Sequence, residues 1–182
     1  VVAPDVMYYG TRDWLKILEQ RGRIALTLFD ATKPGALESS IQNGKTDLVW
    51  IETPLNPTWD VIDIAAAAKA AHDAGAILAV DATATGAVTT RPLELGADIV
   101  FHSATKYLNG HSDVLAGALI TGELTPRWAA IGLLSACSRP DAAATGTASG
   151  PGVAFVQGSY EDALARARAE IQQVVMRAAV FE

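Results

Sequence analysis

The apolar run Ile99-Val100-Phe101 is followed at once by His102-Ser103-Ala104-Thr105-Lys106 and then by Tyr107-Leu108-Asn109-Gly110. A short strand of this kind delivers two hydroxyls and a lysine into a turn. A lysine placed just past a buried strand, among small hydroxyl residues, can have its ammonium pKa lowered by desolvation and by neighbours. Its amine then becomes available as a nucleophile, which suits Schiff-base chemistry at Lys106. Ser103 and Thr105 have side chains on the same side if the backbone stays extended, so both hydroxyls could donate to one phosphate.

The elements that must position these groups can be read from periodicity. Apolar residues at positions 14, 15, 17 and 18 predict a helix over 12–20 with Thr11 as its N-cap. Ile24 to Phe29 reads as a buried strand, Pro34 to Gln42 as a short helix with proline in its first turn, and Asp47 to Ile51 as the next strand. After the proline-containing Glu52-Thr53-Pro54-Leu55-Asn56-Pro57, Asp60 is expected to cap a helix running to about Ala74 and stopped by Gly75. The core face of that helix is expected at Val61, Ile64, Ala65, Ala68 and Ala71. Ile77 to Val80 forms a strand ending on Asp81, Ile99 to Phe101 the strand that feeds Lys106, and Leu115 to Thr121 a further strand before a helix near Pro126 to Leu134.

Helices alternating with short buried strands predict an α/β fold, a mainly parallel sheet with helices on both faces. Ligands in such folds bind beyond the carboxyl ends of the strands. Asn56, Asp81 and the Ser103–Lys106 segment all follow such ends, so three exits can converge on one pocket. On residue type alone, Asp81 also reads as a carboxylate capping a loop, and Asn56 as part of an Asn-Pro turn.

Composition narrows the partners. The 182 residues carry a net charge of −6 without a Lys/Arg cluster, which argues against nucleic acid or an anionic membrane surface. Cys137 is the only cysteine, which excludes an internal disulfide and a cysteine-based metal cage, and fits a reducing cytosol. No apolar run approaches the roughly 20 residues that span a bilayer. No G-x-G-x-x-G follows an expected strand, so a nucleotide-binding reading is weak.

Ser103-Ala104-Thr105-Lys106-Tyr107-Leu108-Asn109-Gly110-His111-Ser112-Asp113 closely resembles the cofactor-attachment segment of the cysteine/methionine-metabolism family of pyridoxal-phosphate enzymes. The resemblance extends back through Arg91-Pro92-Leu93-Glu94-Leu95-Gly96-Ala97-Asp98 and Glu52 to Pro57, and forward to about Thr121. It implies the fold-type I PLP-dependent transferase large-domain core and a carbon-sulfur lyase or gamma-replacement transferase acting on cystathionine, methionine or homoserine esters. It implies that Lys106 binds pyridoxal 5'-phosphate and moves protons, and that Asp81, twenty-five residues earlier, faces the ring nitrogen. Asn56 would hydrogen-bond the phenolic oxygen, Ser103 and Thr105 the phosphate. Tyr8 would stack on the ring and assist proton transfer, although counting back from Asn56 without a gap points to Tyr9. His102 and His111 are expected to pack in helix and turn, and His72 to lie at the surface of a helix.

By the same resemblance the working partners are a small-molecule amino-acid substrate and further copies of the chain, as a dimer of dimers in the cytoplasm. Ala82-Thr83-Ala84 departs from the asparagine and threonine-aromatic pattern common after the family's aspartate. The family's N-terminal phosphate loop, the neighbour-subunit tyrosine and arginine, and the C-terminal substrate-binding arginine have no match. The expected organisation is therefore a partial large-domain core over 1–135, a Gly/Ala/Ser-rich linker over 136–158, and a C-terminal helix over 159–182. The alternative is a catalytically inactive truncated fragment or binding module that keeps the cofactor-domain core.

Overall fold

A computed structural model of the chain describes residues 1–123 and the backbone of one strand beyond them, at 152–157. The elements in order are β1 (Val2–Pro4), α1 (Tyr9–Gln20), β2 (Thr27–Phe29), α2 (Ala36–Ser40), β3 (Leu48–Glu52), α3 (Ile64–Asp73), β4 (Ile77–Asp81), α4 (Gly86–Thr89), a 3-10 turn at Pro92–Leu95, β5 (Ile99–His102), β6 (Ala116–Thr121) and β7 (Gly152–Gln157). They build one seven-stranded sheet in the order β2-β1-β3-β4-β5-β6-β7. The pairs from β2 to β5 are parallel, whereas β6 and β7 are antiparallel to their neighbours. The expected α/β architecture is what the chain adopts.

Strand residues alternate between two apolar layers because successive side chains point to opposite faces. Val49, Ile51, Leu78 and Val80 face a layer covered by Ile64, Ala67, Ala68 and Ala71 of α3 and by Leu37 of α2. Leu48, Trp50 and Ala79 face Leu15 and Leu18 of α1. The small alanines of α3 let its axis lie close to the sheet, so strands buried on both sides need no polar face. The connection from β1 to β2 leaves one way through α1, and β3 returns to the other side of β1. The topological switch therefore lies between β1 and β3, the position where doubly wound sheets open a crevice.

Several expected boundaries are corrected. Helix α1 starts at Tyr9 with Tyr8 as N-cap, not Thr11, which is buried inside the first turn. The physical reason is remote in sequence: the Glu52 side chain takes the Tyr8 N–H. Helix α3 starts at Ile64, and Asp63 rather than Asp60 caps it, accepting from the Ala66 N–H at 3.0 Å. Residues 53–62 stay in a loop because the Thr53 hydroxyl both accepts from Ile62 N and donates to Ile62 O. Val61 and Ala65 consequently face solvent, and Ala67 takes the core position. Pro34 precedes α2, whose N-cap Gly35 has φ of +73°, and β2 is confined to its last three expected residues.

Strand β7 lies inside the 136–158 stretch expected to be a linker and pairs with the whole of β6. The rest of that stretch, the helix expected near 126–134 and the C-terminal helix over 159–182 lie outside the described residues.

Candidate active site

Four parallel strands, β1, β3, β4 and β5, are consecutive in the sheet, so their carboxyl ends share one edge. Beyond those ends Glu52 joins Tyr8 and Asn56, and Thr83 joins Asp81 to Ser103, while Lys106 lies three residues further along the chain. Two of the exits end on buried acids: Glu52 closes β3 and Asp81 closes β4, and the two are register partners across the parallel pair. Burial pushes the Asp81 carboxyl up to about 6, partly opposed by hydrogen bonds from the Thr83 hydroxyl and the Thr83 N–H. Burial likewise pushes Glu52 up to about 7; the Tyr8 N–H opposes this, the charge of Asp81 adds to it, and the Asn56 N–H opposes it again.

Thr83 connects two exits. Its N–H donates to Asp81 Oδ1 at 2.9 Å, while its hydroxyl oxygen accepts from the Ser103 N–H at 2.8 Å. The β4 carboxylate and the start of the lysine segment are thereby linked through one side chain. His102, at the end of β5, is buried, and burial lowers its pKa against the opposing hydrogen bond to Ala82. It packs, as its residue type suggests. His72 faces solvent on α3 against Asp98 at 2.9 Å, whereas His111, expected to pack, is exposed.

After His102 the backbone leaves the extended form and turns through Ala104 to Asn109. The premise that Ser103 and Thr105 project together from an extended strand is therefore corrected. The Thr105 hydroxyl accepts from Ala116 N at 2.9 Å and donates to Ala116 O at 3.2 Å, fastening the turn to the start of β6. Lys106 is exposed on this turn, its N–H donating to Ser103 O at 2.9 Å. Tyr8 and Tyr9 pack with ring centroids 4.8 Å apart; Tyr8 is the more covered of the two and lies over Gly10, where an added Cβ would sit 2.6 Å from Tyr8 Cε1. Asn56 is exposed in the loop that follows β3.

Sequence reasoning singled out neither Glu52 nor Thr83 for a role. The signal for Glu52 was present: two apolar strands, Leu48 to Ile51 and Ile77 to Val80, each run directly into an acid.

The model of the Cys/Met metabolism PLP-dependent enzyme family matches residues 1–156. The chain belongs to this family. A cystathionine beta-lyase of Staphylococcus haemolyticus is 46% identical over 121 residues, 66% of this chain and 31% of that relative. A canavanine gamma-lyase of Rhizobium leguminosarum is 44% identical over 121 residues, 66% of this chain and 30% of the relative. Among solved structures, a cystathionine gamma synthase of Xanthomonas oryzae, crystallised with aminoacrylate and cysteine, superposes with a TM-score of 0.60 at 28% identity, over 97% of this chain and 39% of that one. The chain thus spans roughly 30% of the length of the curated relatives it matches. Among the described residues no helix is long and apolar enough to cross a membrane, and no cluster of three or more His, Cys, Asp or Glu could hold a metal.

The family is pyridoxal-phosphate dependent by its description, and the donor set at this edge fits that group. Burial disfavours the Asp81 anion, and a protonated ring nitrogen beside it would supply the cation that stabilises the charged form.

Proposed function

We propose that this chain is the cofactor-binding core of a pyridoxal-phosphate enzyme that breaks or exchanges a carbon–sulfur bond of a sulfur amino acid, or the equivalent bond of a homoserine ester. The observation that carries the reading is the link between two strand exits. Asp81 is buried and bonded to Thr83, and Thr83 holds the Ser103 amide, three residues before Lys106.

The side chains divide the work. Asp81 would keep a proton on the cofactor's ring nitrogen, gaining in return the cation that its buried carboxylate lacks. Asn56 would donate to the phenolic oxygen, and Tyr8 would lie against the ring. Ser103 would donate to the phosphate. Thr105 can do so only by releasing Ala116 O, since a hydroxyl has one proton to give. When bound, pyridoxal phosphate supplies an electron sink for the carbanion left at the substrate's alpha carbon. Lys106 Nζ would attach the cofactor, accept the alpha proton once substrate displaces it, and return a proton elsewhere on the substrate. Positioned proton transfer of that kind contributes about 10²–10⁴-fold.

A beta-lyase and a canavanine gamma-lyase match the chain almost equally, at 46% and 44% identity. The matched residues accordingly serve what such enzymes share, the cofactor, more than what separates their substrates. Assembly into a homo-oligomer in the cytoplasm belongs to the same proposal; Tyr9, Tyr107 and Leu108, exposed near the strand exits, support the assembly.

The test is direct. Purified chain mixed with pyridoxal phosphate should develop the absorption of a lysine-bound cofactor at the edge of the visible, and Lys106→Ala should abolish it. Identical spectra from the two proteins would show that position 106 is not the attachment point.

A further inference from the structure

We infer that Glu52 is a positioning residue whose buried carboxylate ties the Tyr8 segment and the Asn56 loop to the end of β3 beside Asp81, so that all three meet the cofactor as one unit. The inference rests on the cofactor reading above and extends it to a residue that need not touch the cofactor at all.

The geometry has three parts. Glu52 is the last of five consecutive buried strand residues, and the sheet fixes its backbone opposite Asp81. Its Oε2 accepts from Tyr8 N at 2.5 Å, a contact across 44 positions in sequence, and the carboxylate also accepts from the Asn56 N–H. The Tyr8 bond spans the switch point between β1 and β3, and the Asn56 bond holds the loop that leaves β3, so one side chain ties both segments to the same strand end. An acid is the residue type the place requires. Both partners are N–H donors, and a carboxylate offers acceptors only, on two oxygens. Glutamine would keep the shape but turn an NH2 toward one of the donors.

Tyr8 depends on this anchor for its aim. The Glu52 bond fixes the backbone at the N-cap of α1, and the ring lies back over Gly10, where even one added carbon would collide with it. A tyrosine pinned at its own amide and folded over a glycine has little freedom to point elsewhere. The charged group that faces Glu52 from the neighbouring strand is Asp81; from the two loops it meets the amides of Tyr8 and Asn56. Loss of the Glu52 carboxylate therefore frees two loops at once and changes the field at Asp81.

The experiment compares Glu52→Gln and Glu52→Ala with the parent chain and with Lys106→Ala. Two readouts are used: hydrogen exchange at individual amides without cofactor, and titration with pyridoxal phosphate followed by absorption and by visible circular dichroism. Exchange at Tyr8 and Asn56 should rise about tenfold or more in Glu52→Gln, while Val49 and Leu78 in the strands keep the parent's protection. Cofactor affinity should fall about tenfold, the scale of one lost charge-assisted hydrogen bond. The visible dichroic band should shrink as the ring loses its fixed neighbour. If Glu52→Ala does not fold, Glu52→Gln, of the same size, carries the test. Unchanged affinity and dichroism in the Glu52 variants of a parent that shows Lys106-dependent absorption overturns the inference alone. Exchange that rises equally at every amide also overturns it, since Glu52 would then serve general stability. A parent without Lys106-dependent absorption fails the cofactor reading, and the inference falls with it.

Discussion

Two neighbouring parts of one sheet edge are built in opposite ways. At the ends of β3 and β4, Glu52 and Asp81 are buried and engaged by amide donors from Tyr8, Asn56 and Thr83. At the end of β5 the chain turns away from the sheet, and Lys106 stands exposed on that turn. The difference fits the roles proposed for the two sides. A carboxylate that sets the protonation of a ring nitrogen works by its field, which is strong only where water is excluded and the geometry is fixed. A lysine that leaves the cofactor and then carries protons needs room to move. The buried half is held by hydrogen bonds to an acid pair; the exposed half is fastened behind the lysine, by Thr105 to Ala116, and not at the lysine itself.

The largest effect that would separate the two halves is a pH dependence belonging to the acid pair. Asp81, raised to about 6, and Glu52, raised to about 7, both hold their protons more tightly folded than unfolded. Between about pH 4 and pH 7 the folded chain therefore binds more protons than the unfolded one, and stability falls as pH rises. The contribution is complete below the unfolded carboxyl range, near pH 4, and is lost through about 6 for Asp81 and about 7 for Glu52. Each group accounts for roughly 3 kcal/mol. His102 acts in the other sense: its pKa is lowered, so its contribution is present above its ordinary pKa and is lost as pH falls. Urea unfolding of the cofactor-free chain across this range should show the decline, and Asp81→Asn should remove the share of Asp81, leaving the shallower decline that Glu52 gives up to about pH 7. A parent and variant with parallel pH profiles would mean that Asp81 is not an energetically strained acid.

Thr83→Val tests the joint between the halves. The isosteric change deletes the acceptor of the Ser103 N–H and a donor to Asp81, leaving a part-buried amide without its partner. The expected cost is about 1–3 kcal/mol in urea unfolding, with Thr83→Ser close to the parent. Thr105→Val is smaller, about 1 kcal/mol, because Ala116 O keeps the Thr105 N–H at 3.0 Å and only the Ala116 N–H loses its partner. Were Thr105→Val the costlier change, the turn after β5 and not the acid pair would be the rigid part of the edge.

The contrast also explains what could be read from the residues. Leu48 to Ile51, Ile77 to Val80 and Ile99 to Phe101 were legible as strands because burial on both faces forces unbroken apolar runs, and the acids or hydroxyls after them mark the exits. The start of α1 was not legible, because the group that catches the Tyr8 amide is Glu52, 44 residues away. The start of α3 was misjudged at Asp60 for the same kind of reason: Thr53 holds both backbone groups of Ile62 and keeps the loop open until Asp63. Ser103 and Thr105 were expected on one side because local sequence gives no sign of the Ala116 partner that bends the chain. Periodicity records which faces are buried. It does not record hydrogen bonds between distant segments, and those bonds set the site.

The smallest expected effect on the fold belongs to the residue with the largest expected effect on cofactor binding. Lys106 is exposed, and its described backbone bonds, to Ser103 O and from Gly110 N, do not involve the side chain. Lys106→Ala should therefore change the stability of the cofactor-free chain by no more than about 0.5 kcal/mol, as surface substitutions do. The same substitution should remove all lysine-bound absorption when pyridoxal phosphate is added. Asp81→Asn should show the reverse balance: absorption through Lys106 survives, while the decline of stability between about pH 4 and 6 becomes shallower by the share of Asp81 and keeps that of Glu52. Thermal melting and absorption titration on these two variants thus separate a group that acts through its surroundings from one that acts through its own reach. If Lys106→Ala instead destabilised the free chain by several kcal/mol, the lysine would be a structural member of the edge, and the division between a fixed half and a moving half would not hold.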